Sequence, residues 1–107
     1  MYHTPNTIQS LARVEAMQLD LSSLRSIKSF AEEFINKGLP LHILVCNAGI
    51  FGGPFSLTVD GVERHFAVNH LGHFYLTKLL LGVMTASRPA RVVVVTSESH
   101  WYAEKCK

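Results

Sequence analysis

Apolar positions follow two rhythms along this chain. Leu41, Ile43, Leu44, Val45 and Cys46 form one nearly unbroken apolar run and Val92, Val93, Val94 and Val95 another. Elsewhere, across residues 24–35 and 62–80, apolar positions return every three or four residues. Unbroken runs predict buried parallel strands covered by helices on both faces. Each run stops at a polar turn, Asn47-Ala48-Gly49 after the first and Thr96-Ser97 after the second. Such turns at strand ends are where open α/β sheets bind ligands.

A third, shorter strand is predicted over residues 14–19, closed by Asp20 and Leu21. Ser22 or Ser23 then offers an N-cap for an amphipathic helix carrying Leu24, Ile27, Ala31, Phe34 and Ile35 on one side. Gly38 and Pro40 end that helix and return the chain to the central run. Gly52, Gly53 and Pro54 forbid regular structure in the next loop. Asp60 followed by Glu63 resembles a capping box opening a long helix over residues 62–84, whose C-terminal half is apolar almost all round. A helix of that kind is buried in its own domain or packed against a second subunit. Strand, helix, strand, helix, strand is the βαβαβ rhythm of half a doubly wound sheet.

Composition narrows the picture modestly. At 107 residues and 48% hydrophobic, the chain suits one domain. Its net charge of +2 comes from interspersed ions, too weak a field to argue for nucleic acid or an anionic membrane. Cys46 and Cys106, far apart, suggest reduced thiols and a cytoplasmic setting. The first ten residues do not have the form of a secretory signal. The longest greasy stretch, residues 79–84, falls far short of the roughly 20 residues needed to cross a bilayer.

Four polar residues stand out, and each has an ordinary reading. Asp20 is placed to cap the following helix, and Asn47 to satisfy its own turn backbone. Asn69 is a helix-interior amide, and Ser97 is one of several hydroxyls at a strand end. His65, His70 and His73 have offsets of five and three residues, which do not put all three on one helix face, so no metal site is expected. Gly49, Gly52 and Gly53 do not have the spacing of a phosphate-binding turn.

Taken in order, Asp20 after the first strand, Asn47-Ala48-Gly49 after the second, Asn69 in the long helix and Ser97 after the third resemble the short-chain dehydrogenase/reductase family. The resemblance runs over about residues 14–100, so that the whole chain would be a partial domain of this family. It implies part of a Rossmann-type doubly wound parallel sheet, incomplete at both ends, and NAD or NADP as cofactor. By the same resemblance Asp20 and Leu21 would meet the adenine, and Asn47, Ala48 and Gly49 would line the adenosine side. Asn69 would hold a proton-relay water, and Ser97 would bind the oxygen of a lipophilic alcohol or ketone. The long helix would be a homodimer surface.

The family also requires a glycine-rich turn and a tyrosine four residues before a lysine. Neither is in the sequence: Tyr75 precedes Lys78 and Tyr102 precedes Lys105, both one residue short. No turnover by this chain is therefore expected. The rival expectation is a non-catalytic role in protein partnerships, signalling or apoptosis. In the family's strand order, 3-2-1-4-5-6, the three strands would be the third, fourth and fifth. The central strand would then lie at an open edge.

Overall fold

The computed structural model describes residues 13–97. Expectations for Tyr102, Lys105 and Cys106, and for the first ten residues, fall outside that span.

Helix α1 (Leu24–Asn36) begins where the sequence places it. Ser23 is extended, and its hydroxyl accepts the Ser26 N–H at 3.2 Å. A second cap comes from far along the chain, since Asp60 Oδ2 accepts the Leu24 N–H at 2.9 Å. Gly38, at φ +68°, lets the chain turn out of the helix in a backbone conformation that other residues resist.

Strands β1 (Ile43–Cys46) and β2 (Arg91–Val94) pair in parallel, Ile43 opposite Arg91 and Cys46 opposite Val94. Between them the chain makes a tight turn at residues 58–62, closed by a bond from Thr58 N–H to the Val62 carbonyl at 2.8 Å. A long helical run follows: α2 (Arg64–Phe66), a π-helical stretch (Ala67–Leu71) and α3 (Gly72–Ala86). Its far end is tied to the sheet by one hydroxyl. Ser87 Oγ donates to the Val83 carbonyl at 2.6 Å and accepts the Leu41 N–H at 2.9 Å.

The core lies between α1 and α3, where Ile27 and Ala31 meet Leu76 and Leu80, with Leu21, Leu41 and Leu44 against them. Burying side chains of this size is worth about 1.5–3 kcal/mol each. Helical periodicity, not the strands, therefore dominates the stability of the described residues.

Three expectations are corrected. Residues 14–19 form no strand; Leu19 packs on the core and Glu15 pairs with Lys37 at 3.1 Å, but no ladder partner exists among the described residues. β1 is covered on one face only, and β2 is exposed along its whole length. Leu44 and Cys46 turn inward, while Ile43 and Val45 are 58% and 54% exposed, because α1 and α3 share one side of the sheet. Among the described residues β1 pairs with β2 alone, so its other edge is open. Lastly, Asp60 does not cap its own helix: Glu63 does, accepting the His65 and Phe66 N–H groups at 3.0 and 2.9 Å, and helical structure starts at Arg64 rather than at residue 62.

Two glycines of α3 predict opposite outcomes. A Cβ on Gly72 would lie 2.7 Å from the Leu21 carbonyl oxygen and 2.9 Å from that of Ala67, whereas one on Gly82 would meet nothing within 4 Å. Gly72→Ala should destabilise by about 1–3 kcal/mol through forced backbone shifts. Gly82→Ala should stabilise by about 0.5–1 kcal/mol through helix propensity. Urea denaturation of the two variants checks both signs.

Candidate functional site

The turn after β1 is held by the helix beside it, one carbonyl at a time. His73 Nε2 donates to the Ala48 carbonyl at 2.8 Å. Asn69 makes a two-point contact with Ile50, its Nδ2 donating to the carbonyl at 3.0 Å and its Oδ1 accepting the N–H at 2.8 Å. His65 Nε2 donates to the Gly52 carbonyl at 2.6 Å. Residues 65, 69 and 73 therefore bind carbonyls 52, 50 and 48 in antiparallel sense. The spacing fits, because four helical residues rise about 6 Å and two extended residues about 6.6 Å.

Asn69 sits in the π-helical stretch, whose wider turn is closed by the Gly72 N–H to the Ala67 carbonyl. Such bulges are common at functional sites. On the same stretch Leu21 comes against Gly72, close enough that a Cβ there would strike the Leu21 carbonyl. The segment carrying Asp20 and the turn carrying Asn47 are thus docked on the same helical turn.

Asp20 is exposed and organised locally. Its Oδ1 accepts the Ser22 hydroxyl at 2.6 Å and the Ser22 N–H at 2.9 Å, which hold its carboxyl below the usual carboxylate range. Its ordinary reading as a helix cap is not what it does; Ser23 and Asp60 cap α1. Both Ser22 bonds to the Asp20 carboxylate are made to Oδ1, and the residue is exposed. Leu21 packs its side chain on the core and sets its carbonyl against Gly72, so only its N–H is left for a ligand.

Asn47, Ala48 and Gly49 are exposed directly after β1. The Asn47 side chain makes no hydrogen bond to its own backbone, so the simple turn reading fails for it. A Cβ on Gly49 would lie 3.2 Å from Asn69 Oδ1, so the missing side chain lets the turn sit close to its clamp. Val95 N–H bonds the Cys46 carbonyl at 3.1 Å, which sets Asn47 level with Val95. Ser97 lies two residues farther along, exposed, at the same sheet edge. A cleft of about 250 Å³ opens there, lined by Ala48, Asn69, His73, Thr77, Val94 and Val95 among others.

His65 and His73 were missed as contributors in the sequence. The signal was there, since 65, 69 and 73 share a helix face, but the three histidines compared by themselves do not. Among the described residues no group of His, Cys, Asp and Glu could hold a metal ion. Cys46 is a free, buried thiol. No helix among the described residues is long and apolar enough to cross a membrane.

Comparison with known proteins shows the family to which the chain belongs. The family model for short chain dehydrogenases matches residues 2–105. The chain is 63% identical over 93 residues to the WW domain-containing oxidoreductase of Gallus gallus, covering 87% of this chain and 22% of that protein. It is 49% identical over 87 residues to retinol dehydrogenase 14 of Mus musculus, covering 81% of this chain and 26% of that protein. A crystal structure of an uncharacterised protein from Mycobacterium paratuberculosis superposes with a TM-score of 0.66 at 41% identity, over 91% of this chain and 35% of that one. The chain thus spans about a fifth to a quarter of the length of these curated relatives.

Removing the central rung tests the clamp. Asn69→Ala should cost about 1–2 kcal/mol, the net worth of two hydrogen bonds. It should also speed amide exchange at Ile50, measured by NMR, while leaving the amides of α1 unchanged.

Proposed function

Because the chain belongs to the short chain dehydrogenase family, and its parallel strands with helical crossover are part of a Rossmann-type fold, we propose that it contributes the adenosine wall of an NAD(P)-dependent oxidoreductase. The observation that carries the reading is the exposed Asn47-Ala48-Gly49 turn, fixed by Asn69 and His73 at the C-terminal end of β1. Asp20 Oδ2 is suited to accept from an adenine amino group, and the Leu21 backbone stands beside it. Glycine at position 49 keeps the wall thin. When bound, the nicotinamide would accept a hydride from an alcohol or give one to a ketone. The described residues fit the adenosine half of such a cofactor; the sequence contains no glycine-rich turn for its pyrophosphate.

Ser97, at the same edge, is assigned to the substrate oxygen, where a hydroxyl donor stabilises developing negative charge. Asn69 is assigned to support of the site: its Oδ1 and Nδ2 are already engaged by Ile50, and each retains capacity for one further bond, to water for example. Retinol dehydrogenases among the relatives support a lipophilic alcohol or ketone as substrate of the intact protein. The exposed Phe66, Phe74 and Leu81 on the long helix support its assignment as a homodimer surface. A cytoplasmic location is proposed with it.

The chain itself is proposed to be inactive in hydride transfer, since its sequence has no Tyr-x-x-x-Lys pair. That same observation favours a second reading, a non-catalytic part in protein partnerships, signalling or apoptosis.

Titration with AMP, NADH and NADPH separates the readings. Shifts of the amides of Asp20, Leu21, Asn47, Ala48 and Gly49, reduced by Asp20→Ala, are expected for the adenosine wall. Nucleotides that leave all five amides unmoved would favour the non-catalytic reading, and measurable turnover would overturn the proposed inactivity.

A further inference from the structure

His65 differs from the other two rungs because both its ring nitrogens face atoms that only accept. Nδ1 lies 2.8 Å from Glu63 Oε2, and Nε2 lies 2.6 Å from the Gly52 carbonyl. A neutral imidazole has one N–H and satisfies one of them; its other nitrogen would set a lone pair against an oxygen. The two acceptors differ in what else holds them. The Glu63 carboxylate is pinned as helix cap by the His65 and Phe66 N–H groups, and the Gly52 carbonyl belongs to a loop whose next anchor is Asn69 on Ile50. Gly52 and Gly53 are both at positive φ, +73° and +85°, so the loop beyond Ile50 has a ready hinge.

We propose that His65 is a positioning residue acting as a protonation latch: as the imidazolium it ties Gly52 to the start of the helix, and on losing its proton it releases this end of the wall.

The neighbouring groups are consistent with that role. Glu63 and the Gly52 carbonyl raise the His65 pKa above its ordinary value, while partial burial and the Arg64 charge oppose them. Residues 50–54 contribute no titratable side chain, and the Asp60 carboxylate is bonded to the Leu24 N–H. Glu63 itself is lowered to about 2, chiefly by the His65 and Phe66 backbone N–H groups. The signs define a window. A raised histidine contributes fully below about 6.5 and is lost as pH climbs through its folded value. A lowered glutamate contributes above its ordinary value of 4.5 and is lost as pH falls toward about 2. The latch is therefore closed in mild acid and opens on the alkaline side.

The latch is a property of the loop; only its effect on a nucleotide rests on the oxidoreductase reading. Nitrogen-15 NMR of the full chain tests it without any nucleotide. His65 should titrate above 6.5, and Glu63→Gln should bring that value down toward the ordinary one. Between pH 6 and pH 8.5 the backbone order parameters of Gly52 and Gly53 should fall from about 0.85, the rigid range, toward the flexible range below about 0.6. His65→Ala should hold them low at both pH values. Titration of the unmutated chain at or below 6.5, or an equal pH response in His65→Ala, would overturn the proposal. Order parameters of Gly52 and Gly53 that do not change with pH in the unmutated chain would overturn it as well, whether or not a variant folds.

Discussion

A turn leaving a parallel strand has carbonyls to satisfy and no neighbouring strand to satisfy them. Here a helix does the work of that strand. Side chains four residues apart on its surface meet carbonyls two residues apart on the turn, because the two rises are nearly equal. His73, Asn69 and His65 supply the donors for Ala48, Ile50 and Gly52. Asn69 adds an acceptor for the Ile50 N–H, so the middle rung also stops the segment from sliding along the helix. An exposed loop containing two positive-φ glycines would otherwise have little to fix it.

The middle rung needs the π-helical stretch, and that stretch depends on Gly72. Opening the helix by one residue brings the Gly72 N–H onto the Ala67 carbonyl, and the missing Cβ admits the Leu21 carbonyl. One local widening therefore docks two segments: the end carrying Asp20 and the turn carrying Asn47. Burial follows the same line. Leu21 reaches the Ile27, Leu76 and Leu80 cluster, so the core that stabilises α1 against α3 also fixes where Asp20 leaves the surface.

What the sequence made legible was local or periodic. The Ser23 cap, the Gly38 exit and the two apolar runs each act within a few residues, and all reappear in the structure. Asp60 was misread because its partner, Leu24, is thirty-six residues away, and capping-box spacing describes only the nearest helix. Residues 14–19 have strand composition but no ladder among the described residues, and a strand without a neighbour is not a strand. The apolar runs suggested two covered faces, whereas the helices here cover one face of β1 and leave β2 exposed. His65 and His73 escaped notice because a metal was the question asked of them. Their helical phase is shared with an asparagine, and backbone carbonyls rather than an ion take up their protons.

These contacts also bear on how the family's site is divided. The Asp20 carboxylate is organised by Ser22, two residues on, and the Asn47 turn by a single adjacent helix. Neither depends on the proton-transfer pair, which this sequence lacks. On the proposed reading, then, the surface that recognises adenosine is built within the unit from Asp20 to α3, whereas the reaction needs groups from elsewhere. On that reading, recognition of the cofactor's distal half is physically separable from the chemistry at its nicotinamide. A chain can keep the first in ordered form while contributing only a serine at a strand end to the second.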